Sequence, residues 1–195
     1  MAAARPLLVL VTGMPGSGKT LVSGVARELG IPVYVMGDVV REETRRRGLE
    51  PTPENLNLVA MLLRREYGDT VVAERTLEKI LRDRPSLAVV DGVRSLREVE
   101  VFRRHGEVVI VAVHASPRTR FERLRRRGRP GDPRTWEEFH RRDMTELGFS
   151  LGSVIALADY MLVNESDPFL VRERARRLLA RLLAGERPSP GEVTA

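Results

Sequence analysis

Gly13-Met14-Pro15-Gly16-Ser17-Gly18-Lys19-Thr20 decides how the rest of this chain is read. The octapeptide follows a continuous apolar run, Leu7 to Val11, and opens a helical segment that Gly30 stops after Leu29. Strand, glycine-rich turn and helix start are the context in which G-x-x-x-x-G-K-[ST] cradles a polyphosphate. Glycine at 13, 16 and 18 lets backbone N–H groups turn inward around an anion where a Cβ would clash. The helix beginning near Gly18 aims its free N–H groups and positive dipole end at the same place. Lys19 supplies a compact cation for β- and γ-phosphates, and Thr20 a hydroxyl for Mg²⁺; Met14, Pro15 and Ser17 complete the loop. Of the 33 basic residues only Lys19 and Lys79 are lysine, the rest being arginine. A lysine at the one position that needs a slim point charge is then informative. Lys79 falls on a helical segment and reads as an ordinary exposed residue.

Working outward, four more apolar runs resemble the first: Val33 to Met36, Leu87 to Val90, Val108 to Val113, and one within Ala158 to Val163. Between them lie segments with helix signals. Thr52-Pro53 reads as an N-cap with proline at the first helical position. Ser95 with Glu98 and Thr135 with Glu138 have capping-box spacing. Ser116-Pro117 and Asp167-Pro168 open two further helices. Apolar strands alternating with helices predict an α/β domain whose parallel sheet is covered on both faces. The pattern predicts one domain over residues 1–184, with two segments longer than simple crossovers need. Residues 39–84 read as an acceptor-side insert and 128–151 as a lid. From Gly185 onward, prolines and glycines predict a frayed tail.

Composition excludes several classes. The 195 residues are 42% hydrophobic and 31% charged, which suits a packed core rather than disorder. Cysteine is absent, so disulfides, zinc–thiolate sites, iron–sulfur clusters and cysteine nucleophiles are excluded. His105, His114 and His140 do not have metal-ligand spacing. No apolar run is long enough to span a bilayer, and Met1 to Arg5 does not read as a secretory leader, so a cytoplasmic protein is expected. Scarce Asn, no Gln and many ionic residues fit a heat-adapted protein. The net charge of +6 and the runs Arg45-Arg46-Arg47 and Arg125-Arg126-Arg127 raise nucleic-acid binding as an alternative. One Trp and no recognisable binding module make it the weaker one. A regulatory nucleotide switch is a third, without the usual N-K-x-D guanine signature.

The strand-end acids and arginines define the other half of the expected site. Val89-Val90-Asp91 places a carboxylate at the carboxyl edge of the sheet, beside a phosphate-bound Mg²⁺. Arg41 and Arg94 follow the second and third strands and are expected to converge on the acceptor, since arginine forks grip phosphate. Asp38 has two readings. It orients or deprotonates an acceptor hydroxyl, or it caps the following helix. Trp136 and Phe139 either close a lid over a base or pack its helix.

Taken together, Gly13 to Thr20, Gly37-Asp38…Arg41 and Asp91-Gly92…Arg94 resemble nucleoside monophosphate kinases of the adenylate-kinase type. Ala158-Asp159-Tyr160-Met161-Leu162-Val163-Asn164 is closer to dephospho-CoA kinase, and the chain also resembles a small archaeal group described as dephospho-CoA-kinase-like or nucleotide-kinase-like. The resemblance implies the three-layer P-loop NTPase fold with strand order 2-3-1-4-5, and ATP and Mg²⁺ as cofactors. It implies that Arg41 and Arg94 bind the acceptor's phosphate. Arg123 and Asn164 would lie near adenine, Arg123 and Arg127 would lead into the lid, and Arg141 and Arg142 would return from it to the phosphates. Val93 departs from the proline usual before the second acceptor arginine. The activity implied is ATP-dependent phosphoryl transfer to a small phosphate-bearing acceptor, or to a hydroxyl as in dephospho-CoA kinase.

Overall fold

The structure, a computed structural model, describes residues 5–194. Most of the leader expectation for Met1 to Arg5 therefore lies outside the described residues. Five strands form one sheet: β1 (Leu7–Thr12), β2 (Val33–Val35), β3 (Leu87–Asp91), β4 (Glu107–His114) and β5 (Tyr160–Val163). Their order is β2-β3-β1-β4-β5 and every pairing is parallel. The most apolar strands, β1, β3 and β4, occupy the centre, where both faces must be covered.

Alternation along β1 divides the core in two. Val9 and Val11 pack with Val22, Val25, Ala26, Val171, Leu178 and Leu179, which come from α1 (Lys19–Glu28) and α9 (Pro168–Leu183). Leu8 and Leu10 face the opposite layer. That layer contains α2 (Met36–Arg46), α3 (Pro53–Tyr67), α4 (Val71–Asp83) and α5 (Leu96–Arg103). Val59 and Leu63 on α3, Leu77 and Ile80 on α4, and Val99 and Phe102 on α5 fill it. Residues 39–84 thus bury their apolar side in the main core. Two helices then cross the mouth of the sheet: α6 (Pro117–Arg127) and α7 (Trp136–Gly148), followed by α8 (Leu151–Ala156).

The caps form as their spacing demands. Thr52, Ser95, Ser116 and Thr135 each accept from the backbone N–H three residues on, and Asp167 accepts from Phe169 N–H. Thr135 and Glu138 make a complete capping box. In the Ser95 box, Glu98 instead accepts from Arg94 N–H at 2.7 Å. Three boundaries depart from the sequence reading. Helix α2 begins at Met36, cutting β2 to three residues. The short helix α8 follows Ser150, which has a left-handed φ of 68°. The end after Gly185 is not frayed: α10 (Pro190–Thr194) folds back on α9. Val193 is fully buried there, and Tyr160 Oη donates to Pro188 O at 2.7 Å. Arg181 adds ion pairs to Glu186 and Glu192, so an apolar anchor and charged contacts together dock this short segment. Among the described residues no helix is long and apolar enough to cross a membrane.

Candidate active site

The octapeptide closes over the carboxyl edge of β1. Gly13, Gly16 and Gly18 have φ of 146°, 83° and 101°, a region other residues adopt only with strain. Space excludes other residues too. A Cβ at Gly13 would lie 2.3 Å from Val113 O, and one at Gly18 would lie 2.3 Å from Asn164 Nδ2. The loop is tight because its walls are backbone and a buried amide. Ser17 N–H donates to Met14 O at 3.1 Å, and Asn164 Nδ2 donates to Ser17 O at 2.7 Å. Ser17 Oγ is buried without a hydrogen-bond partner. An orphaned hydroxyl inside a glycine cradle fits a loop built to receive phosphate oxygens.

Lys19 Nζ lies inside this loop and donates to Gly13 O at 2.6 Å. Burial pulls its pKa down to about 8, while the carboxylate of Asp91 pushes it back up. Thr20 stands exposed at the start of α1. Asp91 ends β3, is almost fully buried, and accepts from Ser23 Oγ at 2.6 Å. Thr20 and Asp91 line the same cleft, a hydroxyl and a carboxylate of the kind that suits Mg²⁺, which usually takes one or two carboxylates and completes its shell with phosphates and water.

A cleft of about 290 Å³ opens in front of the loop. Lys19, Thr20 and Asp91 line it together with Arg94, Arg123, Arg127, Arg142, Glu146 and Leu151. Each arginine is held differently. Arg123 donates to Asn164 O at 2.8 Å, and burial lowers its pKa. Arg127 forks onto Asp132, and Arg142 reaches the same carboxylate at 3.4 Å. Arg94 Nε approaches Glu146 Oε2 at 3.5 Å.

The structure brings only part of the expected acceptor side into this cleft. Arg94 is there; Arg41 and Asp38 do not line it. These two pair with each other on the first turn of α2, where the Asp38 side chain is 52% exposed. Early entry into α2 at Met36 explains the difference, because it sets both on a solvent-facing turn of that helix. Arg141 is also absent from the cleft. It is exposed on α7, and its neighbour Arg142 points inward. Trp136, Phe139 and Phe121 form an edge-on and tilted cluster at 5.1–5.6 Å between ring centroids, which packs α7 onto α6. Lys79 pairs with Glu42 at the surface.

Two side chains in this region carry no sequence motif. Arg120, on α6, is buried and makes a bidentate pair with Asp143 of α7 at 2.8 and 2.6 Å. It also donates to Pro15 O at 3.2 Å and lies over the Phe139 ring. Glu146, one turn beyond Arg142 on the same face of α7, is the other. The sequence held no signal for it, because which arginine of the 141–142 pair faces inward is decided only when α7 docks.

Residues 12–140 match the family described as an AAA domain. The chain is 69% identical over 182 residues to a UPF0200 protein of Hyperthermus butylicus, which covers 93% of this chain and 98% of the relative. It is 58% identical over 160 residues to a UPF0200 protein of Staphylothermus marinus, covering 82% and 84%. These homologues are archaeal and come from thermophiles. Shikimate kinase from Bacteroides thetaiotaomicron superposes with a TM-score of 0.60 at 19% identity, covering 91% of this chain and 98% of that one. At that identity the likeness concerns the fold. The chain belongs to the UPF0200 family and has the fold of P-loop small-molecule kinases.

Proposed function

We propose that this protein is an ATP-dependent kinase that transfers the γ-phosphoryl group to a small phosphate-bearing acceptor. One observation carries the reading: a single cleft sets the Lys19 loop and Asp91 against arginines from α6, α7 and the β3–α5 turn. Phosphoryl transfer needs position and charge neutralisation more than covalent help, and this cleft supplies both.

Lys19 would release Gly13 O and bind the β- and γ-phosphates. Loop N–H groups and the Ser17 hydroxyl would take up other phosphate oxygens. Thr20 and Asp91 would hold Mg²⁺, which neutralises charge between the phosphates. Arg94 would hold the acceptor's anionic group in the same cleft. Arg142 and Arg127 would spread charge from the moving phosphoryl, and Arg123 would border the nucleoside end. Enclosure by α6 and α7 would exclude water and suppress hydrolysis. In this reading Asp38 pairs with Arg41 at the surface, caps no helix, and takes no part in the chemistry.

A product-resolved assay tests this. Purified protein is incubated warm with Mg²⁺-ATP and, separately, AMP, CMP, UMP, dGMP, dephospho-CoA or shikimate, with Lys19→Ala as blank. Transfer to one acceptor well above hydrolysis is the expected result. Slow hydrolysis alone, with no acceptor phosphorylated, overturns it.

A further inference from the structure

The cleft holds one carboxylate whose chemistry the site above leaves unused. Asp91 accepts a 2.6 Å bond from Ser23 and stands beside the phosphate loop. Asp132 is forked by Arg127, and Asp143 by Arg120. Asp38 lies outside the cleft and pairs with Arg41. Glu146 differs from all four. Its side chain is only 13% exposed and lines the cleft, yet its salt-bridge contact among the described residues is the 3.5 Å approach to Arg94. A largely enclosed carboxylate normally takes several short donor bonds. Glu146 has room for them on the side that faces the cleft.

Its position gives the missing donor a chemistry. Glu146 approaches Arg94, where an acceptor anion would be gripped, and shares the cleft with Lys19, whose charge its carboxylate favours. An acceptor held by Arg94 and reaching toward the γ-phosphate passes this carboxylate. A second phosphate there would meet like charge and be repelled. A hydroxyl would instead donate to it.

We propose that Glu146 accepts a hydrogen bond from the attacking hydroxyl of the acceptor, so that the acceptor is an alcohol carrying a separate anionic group for Arg94. The inference rests on the kinase reading above and names its substrate class. In the step, the hydroxyl oxygen forms a bond to the γ-phosphorus, and the bond from that phosphorus to the bridging oxygen breaks. The bridging electron pair leaves on ADP. The hydroxyl proton passes to Glu146 and then to solvent, leaving a phosphomonoester.

The test is turnover with Mg²⁺-ATP and two probe sets, anionic alcohols (dephospho-CoA, shikimate, glycerol 3-phosphate) and monophosphates (AMP, CMP). Phosphorus NMR distinguishes a phosphomonoester product from a diphosphate. The wild type is expected to make a phosphomonoester. Glu146→Gln, nearly isosteric, lowers kcat by about 10²-fold with the KM for ATP almost unchanged. Glu146→Asp recovers part of that loss. Arg94→Gln raises the acceptor KM and spares kcat by comparison. A diphosphate product that Glu146→Gln leaves unaffected overturns the inference and keeps the kinase reading. Nucleotide binding with no transfer to either probe set overturns both.

Discussion

The phosphate side and the acceptor side of the cleft are built by opposite rules. Eight consecutive residues make the phosphate loop, and there the backbone itself is the binding group. Its geometry is therefore local: positive φ at three glycines, a lysine at the next position, and a helix start. The acceptor side draws Arg94 from a turn, Arg142 and Glu146 from α7, and Leu151 from α8, more than 50 residues apart in sequence at the extremes. Here side chains bind, and their place depends on how helices dock. Arg120 joins the two sides, since it holds Asp143 on α7 and Pro15 O in the loop.

That joint is where the comparison breaks most easily. Arg120→Ala leaves Asp143 buried without its partner and is expected to cost about 3–5 kcal/mol in denaturant unfolding. Removing both charges should cost less than the sum of the single losses. An Arg120→Ala protein as stable as wild type would show that α7 is not tied to the loop.

Lys19→Ala comes next and is expected to reduce nucleotide-dependent turnover by about 10²-fold or more while leaving the fold intact. A subtler effect separates this side by pH. Lys19 is charged below about 8 and neutral above it. Bound phosphates favour the charged form, so nucleotide affinity should fall as pH rises through about 8, by at most about tenfold per pH unit. Calorimetric titration from pH 6.5 to 9.5 checks the sign; affinity that rises with pH would contradict it.

The smallest effect is the sharpest test of the acceptor side. Arg41→Ala removes half of an exposed pair and should change the acceptor KM by less than about threefold. Arg94→Ala, measured in the same assay, should raise it by about tenfold or more. Equal effects would return Arg41 to the cleft and the site to the layout expected from the chain's motifs.

How much could be read beforehand follows from the same contrast. Strand content, parallel pairing and the loop are contiguous patterns, so the runs Leu7 to Val11 and Leu87 to Val90 and the octapeptide sufficed. Asp91 was legible because a strand end fixes where its last side chain lies. Arg41 was not: a helix beginning two residues earlier than expected set it in solvent. Arg141 and Arg142 differ by 100° around α7, and their spacing in sequence could not say which faces inward. Arg120, Asp143 and Glu146 sit in a chain rich in charge, where pairing is decided only by docking. The tail failed for a related reason, because glycine and proline describe a turn and not what the turn delivers Val193 into.

The near-absence of lysine has a chemical consequence. Guanidinium groups do not acylate under mild conditions, so the arginine surface is inert to amine-directed reagents. Of the two side-chain amines, Lys79 is held by Glu42, and Lys19 loses its proton near pH 8, where a free amine is nucleophilic. An acylating reagent at that pH should mark the phosphate loop ahead of the other lysine. Bound nucleotide should protect it, which makes acylation of Lys19 a reporter of occupancy.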